Sequence, residues 1–502
     1  MKNKIMNIVF SIVFMTILVV PTLCMNTKKA QVSEIDNKIL TEWPKLTIST
    51  ETRDQIEEYF ADRIGFREQA IDMYINGSDK LFHVMVHPLF MYGKEGHIYY
   101  KDPYYIAAYQ RLNTNEEFLD SFVDYLDQTK QYLDGRNIRF LYFLCPDKKT
   151  IYPEFFPDSI HVNEDNKTIP QYIEEKISQT DVDYFIPIQE LTEAKKEKVV
   201  YNKLYDATHW NEFGAFVGHS LIDQKMQQWF EDVPPFSEED FQLTFTEIDT
   251  LDVAKFPIKE EVPVYTLKND QAGDMTEYLL PSLDKCLKTT TFYSHYVNPE
   301  APNNRVLLVF TDSYFGNYQR YYTNRFKEVY FVHRQNYEYL QYMVNLTFPD
   351  VVIFETAERS ISSEMELLSD FNNLYYEPAY DGKGEPTSSD TLGIELTQVS
   401  GVRAEGNKLY LNPEAGESIV SLTGVLTGES CEQYDVYALV DGNYLETDYL
   451  KLHLDAMEQG SRLFSVNIQR RYLQEQQIEL IAVEKETKTQ VLLETFEVVY
   501  GE

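Results

Sequence analysis

Short apolar runs alternate with helical patterns through the middle of this chain, and this alternation constrains its fold more than any other feature. Apolar residues recur at helical spacing from Asn115 to Leu133, and a nearly continuous apolar run, Arg139 to Leu144, follows at once. Further strand-like runs lie at 182–188, 305–310, 328–333 and 350–354. Strands that are apolar on both faces and alternate with helices are typical of a parallel sheet covered by helices. The sequence therefore predicts an α/β fold for this region.

The pattern changes near residue 380. A cluster of turn-forming residues spans Tyr380 to Pro386, and beyond it short alternating runs are separated by Gly, Asn or acidic turns. Short strands at this spacing are typical of a β-sandwich. At 502 residues the chain is also too long for one ordinary domain. We therefore predict an N-terminal segment over residues 1–29, an α/β domain over 30–382 and a β-sandwich over 383–502.

The N-terminal segment contains an uncharged run, Ile5 to Cys24, which follows Lys2 and Lys4. A helix of about twenty apolar residues spans the ~30 Å hydrocarbon core of a bilayer. No small-x-small cleavage site follows the run, which favours an uncleaved signal anchor. We therefore expect a single-pass anchor in the cell membrane, with the bulk of the chain outside the cytoplasm.

Charge and cysteine content exclude several classes of partner and site. The chain has 45 Lys and Arg against 81 Asp and Glu, and its net charge of −36 repels the phosphate backbone on which nucleic-acid binding depends. The cysteines beyond the N-terminal run lie far apart and form no C-x-x-C pair. The nine His show none of the ligand spacings typical of zinc sites. We expect no nucleic-acid partner, no metal and no cofactor.

Two short segments contain the residue types of a serine acyl-transfer site. Residues 306–317 form an apolar run that ends in Thr311-Asp312-Ser313, so the Ser313 hydroxyl would emerge at a strand end beside free backbone N–H groups. Residues 205–211 place Asp206 three residues before His209, in a loop that leads into a helix near Asn211. An acid at that spacing can bond one imidazole nitrogen and leave the other free as a base.

Each segment also has a plain structural interpretation, because Asn, Asp and Ser are common helix N-caps. Together, however, the segments supply a nucleophile (Ser313), a base (His209) and an orienting acid (Asp206). Both segments lie where an α/β sheet places its active site, outside the carboxyl ends of its strands.

The two segments resemble the Ser block and the Asp-x-x-His block of the SGNH hydrolase superfamily, whose fold is a flavodoxin-like parallel sheet. His209 precedes Ser313 in this chain, and this permuted order resembles the alginate O-acetylation proteins AlgJ and AlgX and the DHHW proteins. Further segments that look like this family are Phe66-Arg67, residues 92–96, Pro146-Asp147-Lys148-Lys149, residues 151–157, residues 349–355 and Glu358-Arg359. The resemblance spans roughly residues 40–365.

The chain departs from the family pattern at two points. The usual Gly-Asp-Ser is Thr311-Asp312-Ser313, and Ala207 stands where alginate-type members tend to carry an Asp two residues before the His. Asp206 is the acid by the spacing of ordinary SGNH enzymes.

The resemblance implies an SGNH-type serine O-acetyltransferase that acetylates a cell-surface or cell-wall polysaccharide. Ser313 would carry the acetyl group as an ester, His209 would activate Ser313, and Asp206 would orient His209. A multi-pass membrane partner would deliver the acetyl group. The candidates for oxyanion stabilisation or substrate contact are Asn317, Arg334, Tyr314 and Lys148.

Two other functions remain open at this point. A carbohydrate acetylesterase uses the same three residues with water as the acceptor, and a non-catalytic glycan-binding or assembly protein can keep the fold. The predicted β-sandwich contains Tyr437, Tyr444 and Tyr449. It resembles the accessory sandwiches of bacterial surface-glycan proteins, which implies polymer binding, although aromatic residues that pack an interface fit the same pattern.

Overall fold

The computed structural model describes residues 2–27, 40–45, 50–82, 84–251, 256–276, 287, 289–361, 382, 385–388, 391–411, 419–440, 443–447, 462–469, 473 and 477–500. The α-helices within these residues are Lys2–Leu23 (α1), Thr50–Arg63 (α2), Arg67–Phe82 (α3), Pro103–Tyr109 (α4), Glu116–Asp134 (α5), Lys148–Ile151 (α6), Ile169–Ile177 (α7), Ile188–Ala194 (α8), Glu212–Trp229 (α9) and Leu340–Thr347 (α10).

The strands before residue 360 are Phe90–Tyr92 (β1), Ile98–Tyr100 (β2), Arg139–Cys145 (β3), Asp183–Phe185 (β4), Phe241–Thr250 (β5), Pro257–Leu267 (β6), Gly273–Asp274 (β7), Ser294–Val297 (β8), Val306–Thr311 (β9), Glu328–His333 (β10) and Val351–Ala357 (β11). The later strands are Thr387–Ser388 (β12), Leu392–Ser400 (β13), Arg403–Glu405 (β14), Lys408–Leu411 (β15), Ile419–Gly428 (β16), Tyr434–Val440 (β17), Asn443–Glu446 (β18), Arg462–Gln469 (β19), Gln477–Glu484 (β20) and Gln490–Tyr500 (β21).

A seven-stranded sheet with the order β4-β3-β11-β9-β10-β8-β7 lies at the centre of the chain. The strands from β4 to β10 are parallel to their neighbours, whereas β8 and β7 form an antiparallel edge. If β9 is counted first and β3 and β4 last, the parallel strands have the order 2-1-3-4-5 of flavodoxin-like sheets. The chain forms β3 and β4 before β9, so this order is circularly permuted.

Side chains of the parallel strands alternate between two buried clusters on opposite faces of this sheet. On β3, Phe140 and Tyr142 belong to the cluster that α5, α7 and α10 cover, whereas Leu141 and Phe143 belong to the cluster that α8 and α9 cover. Burial on both faces explains why these strands are nearly continuous apolar runs in the sequence. The predicted α/β fold is confirmed for this region.

The sequence patterns did not predict the long antiparallel hairpin that β5 and β6 form. Six consecutive side chains of β5 are exposed, so the strand lacks the one-sided apolar alternation that marks a half-buried strand. The base of the hairpin is nevertheless fixed to the α/β core, because Phe241 and Tyr265 are buried in the cluster under α9. The hairpin therefore projects from the same face of the sheet as α9.

Beyond residue 386 the described residues form strands in two sheets, one with the order β14-β15-β21-β20-β17-β18 and one with the order β13-β16-β19. One buried apolar cluster includes Leu422 and Phe464 from the smaller sheet and Val436 and Leu480 from the larger. The domain division stays a prediction, because residues 362–381 and 383–384, around the predicted boundary, lie outside the described residues, as does Tyr449.

Helix α1 contains the apolar stretch Ile5–Leu23, whose mean hydropathy reaches 2.3. Among the described residues it is the one helix long and apolar enough to cross a membrane, and its side chains do not pack inside the structure. A single-pass anchor and a signal sequence both have this character.

Candidate active site

The nucleophile candidate, Ser313, lies directly beyond the carboxyl end of β9 in a loop that Asp312 holds. One oxygen of the buried Asp312 carboxylate accepts a hydrogen bond from the Tyr314 N–H at 2.9 Å. The other accepts from Arg334 Nε at 3.2 Å and from the Ala357 N–H at 3.0 Å. Burial alone would raise the pKa of Asp312, but Arg334 and Arg359 hold it below its usual value. The Asp312 carboxylate thus ties the serine loop to the ends of β10 and β11.

The base candidate, His209, bonds both other predicted members of the site. Its Nε2 lies 2.7 Å from Ser313 Oγ, and its Nδ1 lies 2.7 Å from Asp206 Oδ2. Because an ionised carboxylate only accepts hydrogen bonds, Nδ1 donates to Asp206 and the neutral ring keeps the lone pair of Nε2 for the serine proton. The structure therefore brings Ser313, His209 and Asp206 together in the order that general-base activation of a serine requires.

Asp206 holds its position through both carboxylate oxygens. Its Oδ1 accepts from the N–H groups of Thr208 and His209, each at 3.0 Å, while Oδ2 faces the imidazole. Burial acts to raise the pKa of Asp206, but the neighbouring imidazole and these hydrogen bonds outweigh it and hold the pKa well below its usual value. The backbone at Asp206 has a φ of +61°, in the left-handed region that residues other than glycine rarely adopt.

The residues after His209 fix the loop to helix α9. Asn211 is the N-cap, and its side chain accepts hydrogen bonds from the N–H groups of Phe213 and Gly214. A Cβ atom on Gly214 would lie 2.5 Å from the Val200 carbonyl oxygen, and one on Gly218 would lie 2.7 Å from the Trp210 ring. The predicted helix cap is therefore present, and it serves to position the histidine loop.

Arg359, which sequence reasoning did not select as a site residue, lies against the histidine and the serine. Its Nη2 is 2.9 Å from His209 Nε2 and 3.4 Å from Ser313 Oγ. Its Nη1 donates to Asp147 at 2.6 Å, and its guanidinium lies 5.3 Å from the centre of the Tyr314 ring. Arg359 follows the end of β11 just as Ser313 follows the end of β9, and that position was the available sequence signal.

A buried ionic cluster supports Arg359 from behind. The fully buried Asp147 also accepts from Lys149 Nζ at 3.3 Å, and Lys149 in turn bonds Glu358 at 2.6 Å. Thr150 Oγ1 donates to the same Glu358 carboxylate at 2.6 Å. The cluster joins the loop after β3 to the turn after β11, so two adjacent strand ends fix the guanidinium that faces the serine.

Two of the predicted contact residues are bound within the protein interior. The ammonium of the fully buried Lys148 donates to the carbonyls of Ile98 and Lys203, each at 2.9 Å. Burial lowers the pKa of Lys148 to about 7. Arg334 pairs with the carboxylate of Asp312. These contacts show that Lys148 and Arg334 hold the loops of the site, and a contact of either residue with an oxyanion or substrate stays a prediction.

The other two predicted contact residues differ in exposure. The Tyr314 side chain is buried, and its hydroxyl lies 2.9 Å from the Pro146 carbonyl and 2.8 Å from that of Thr208. Tyr314 therefore joins the loop after β3 to the histidine loop. Asn317 is exposed beyond the serine loop, and its contact with an oxyanion or substrate stays a prediction. The described residues contain no group of three or more His, Cys, Asp or Glu that could hold a metal.

Comparison with known proteins finds similarity to solved structures only. No family model matches the chain, and no curated protein matches it. The similar structures include PatB1 of Bacillus cereus with a sulfonyl adduct, at 16% identity and a TM-score of 0.42, covering 55% of this chain and 98% of that one. A second structure of Bacillus cereus PatB1 has 16% identity and a TM-score of 0.43, and the match covers 58% of this chain and 99% of that one. The O-acetyltransferase domain of Pseudomonas putida AlgJ has 14% identity and a TM-score of 0.39, and the match covers 57% of this chain and 99% of that one.

AlgJ is one of the proteins that the sequence motifs resemble.

Proposed function

We propose that this chain is an SGNH-type serine O-acetyltransferase that transfers acetyl groups to a surface polysaccharide outside the cytoplasm. The observation that supports the proposal most directly is the continuous hydrogen-bond chain from Asp206 through His209 to Ser313, with both links at 2.7 Å. The permuted 2-1-3-4-5 order of the parallel strands fits the same family. Retention of all three residues in bonding distance argues against a binding protein with a degenerate site.

In the first half-reaction, Ser313 Oγ attacks the carbonyl carbon of an acetyl donor while His209 Nε2 takes the hydroxyl proton. The carbonyl π-electrons move to oxygen and form a tetrahedral oxyanion. When that oxyanion collapses, the bond to the leaving group breaks and the leaving group takes the proton from His209. The product is an acetyl ester on Ser313 and a neutral imidazole.

In the second half-reaction a sugar hydroxyl occupies the place of the leaving group. His209 Nε2 takes its proton, the sugar oxygen attacks the acetyl carbon, and Ser313 Oγ leaves with the proton returned from His209. Asp206 stabilises the imidazolium in both steps because its carboxylate remains ionised. The Ser313 and His209 side chains are part-exposed, so an acceptor can reach the ester from solvent.

Arg359 is the side chain best placed to stabilise the oxyanion. Its Nη2 lies within hydrogen-bond distance of both reacting groups, at 2.9 Å from His209 Nε2 and 3.4 Å from Ser313 Oγ. When an acetyl carbonyl approaches Ser313, this N–H can turn its donation to the carbonyl oxygen as negative charge develops there. The Ser313 backbone N–H, at the end of β9, is the second donor in this proposal.

Location and partners complete the proposal. Helix α1 would anchor the chain in the cell membrane, with the α/β region outside the cytoplasm. Coenzyme A does not supply acetyl groups there, so a multi-pass membrane partner would deliver the acetyl group to Ser313. The strand-rich region after residue 386 would hold the polysaccharide.

The test uses the full chain in detergent with p-nitrophenyl acetate, with and without candidate glycans. We expect acetyl release that both Ser313→Ala and His209→Ala abolish, together with a gain of acetyl mass on the glycan. Release that no glycan intercepts would instead indicate an esterase. An inert parent that still binds glycan would reject catalysis and support a binding protein.

A further inference from the structure

The carboxylate of Glu260 binds three consecutive backbone N–H groups just before Asp206. Glu260 Oε1 accepts from the Lys203 N–H at 2.6 Å. Its Oε2 accepts from the N–H groups of Leu204 and Tyr205, at 2.7 and 2.5 Å. Consecutive N–H groups that converge on one point form a concave anion-binding backbone, and here a carboxylate of the same chain occupies it.

The backbone that Glu260 binds has no other regular support. Residues 201–210 form neither helix nor strand, so their N–H groups have no partner in a helix or a ladder. The Lys203 carbonyl is bound on its other side, by the Ile98 N–H at 3.0 Å and by Lys148 Nζ at 2.9 Å. Glu260 and these two donors therefore fix the chain from both sides immediately before the catalytic acid.

The next residue along the chain is Asp206, whose backbone φ of +61° is unfavourable for a residue other than glycine. A backbone in that conformation persists only where the surrounding contacts impose it. Through this conformation Asp206 Oδ1 reaches the N–H groups of Thr208 and His209, and Oδ2 reaches His209 Nδ1. The geometry of the acid thus depends on how the preceding residues are held.

We infer that Glu260 is a positioning residue for the proposed reaction: its carboxylate fixes residues 203–205 so that Asp206 meets His209 Nδ1. This inference rests on the proposed function of the Ser313 site. It also assigns a role to the β5–β6 hairpin, because Glu260 lies on β6 opposite Ile248 of β5. The hairpin is anchored in the α/β core through Phe241 and Tyr265, and so presents Glu260 from a fixed base.

The arrangement uses both carboxylate oxygens of Glu260. A carboxylate offers two acceptor oxygens to the three N–H groups, whereas an amide offers one oxygen and turns an NH₂ donor toward backbone donors. Glu260→Gln therefore keeps the size of the side chain and removes most of its hydrogen bonding to residues 203–205. The neighbouring Glu261 is exposed and its side chain points to the other face of β6, so Glu261→Gln is a matched control.

The experiment measures the His209–Asp206 bond separately from turnover. In the full chain in detergent, a proton NMR resonance far downfield reports the His209 Nδ1 proton bonded to Asp206, and Asp206→Asn identifies it by its loss. We expect Glu260→Gln to remove or broaden this resonance and to slow acetylation of Ser313 by p-nitrophenyl acetate at least about tenfold. Glu261→Gln is expected to leave both unchanged.

Thermal unfolding of each variant shows whether it folds. If Glu260→Gln does not fold, Glu260→Asp, which retains the charge and shortens the reach, replaces it with the same expected direction. An unchanged resonance and rate in a folded Glu260 variant would overturn the inference. Because the resonance needs no substrate, an inert parent whose resonance still depends on Glu260 would reject the proposed function alone. A parent without the resonance would overturn both.

Discussion

Removal of the Arg359 guanidinium is expected to slow acetylation of Ser313 without unfolding the protein. Arg359 faces the reacting groups through Nη2, at 2.9 Å from His209 Nε2 and 3.4 Å from Ser313 Oγ. Its Nη1 donates to Asp147, so the guanidinium is already held in place before substrate arrives. Arg359→Met keeps a side chain of similar length and removes every donor, together with the guanidinium that lies over the Tyr314 ring.

The magnitude follows from the role of the donor. Loss of one oxyanion donor costs about 3–4 kcal/mol of transition-state stabilisation, or roughly 100- to 1,000-fold in rate. Arg359→Lys keeps the charge but cannot bond Asp147 and the oxyanion through one planar fork, so a smaller loss, roughly tenfold, is expected. The stability cost is smaller than for a lone buried charge, because Asp147 keeps Lys149 at 3.3 Å; about 2 kcal/mol is expected.

The assay is the burst of p-nitrophenol that accompanies acetylation of Ser313, measured beside thermal unfolding. The matched control is Arg320→Met, which removes a guanidinium that pairs with Glu212 and stacks on Tyr318 beyond the serine loop. The control is expected to keep the parent rate within about twofold. A folded Arg359→Met variant that acetylates Ser313 at the parent rate would refute the oxyanion role.

Three further predictions concern the scaffold around the site. Burial and the charge of Asp312 raise the pKa of Glu355 well above its usual value, so the side chain is a neutral acid that Gln can replace. Glu355→Gln should therefore change the free energy of unfolding by under about 1 kcal/mol. Glu355→Leu should cost about 2–3 kcal/mol in denaturant titrations, because two buried donors lose their acceptor. The folded state releases the Lys148 proton near pH 7 and the unfolded chain near 10.5, so this group should raise stability by about 2 kcal/mol from pH 7 to 9, and Lys148→Met should abolish that rise in unfolding measured across the range. Gly214→Ala should lower stability by about 2 kcal/mol despite a helix-propensity gain of about 1 kcal/mol, because its Cβ would meet the Val200 carbonyl at 2.5 Å; unchanged thermal unfolding would contradict this.

The sequence was informative where chemistry and periodicity coincide. The apolar strands of the central sheet are buried on both faces, so their continuous runs identified them. Ser313, His209 and Asp206 could be selected because each lies in a short segment with a recognisable residue order. Their mutual distances depend on how the loop before α9 meets the end of β9, a contact between residues 104 positions apart in the sequence.

The remaining features depend on contacts between distant segments. Arg359 and Asp147 meet although 212 residues separate them, and neither residue type is specific enough to reveal the pair. Glu260 lies on a hairpin whose exposed side chains hide its strand period, and its partners are backbone N–H groups that leave no trace in side-chain chemistry. The lysine at 148 looks like a surface residue in the sequence, yet packing buries it completely.

The central claim is that Ser313 carries the acetyl group during transfer. The most direct measurement incubates the full chain with p-nitrophenyl acetate, stops the reaction within the burst and locates the added acetyl mass by peptide mass spectrometry. The proposed mechanism predicts one acetyl group on the peptide that contains Ser313, absent in Ser313→Ala and transferred to glycan when an acceptor is added. Equal acetylation of the parent and Ser313→Ala, or none in a folded parent, would contradict the claim.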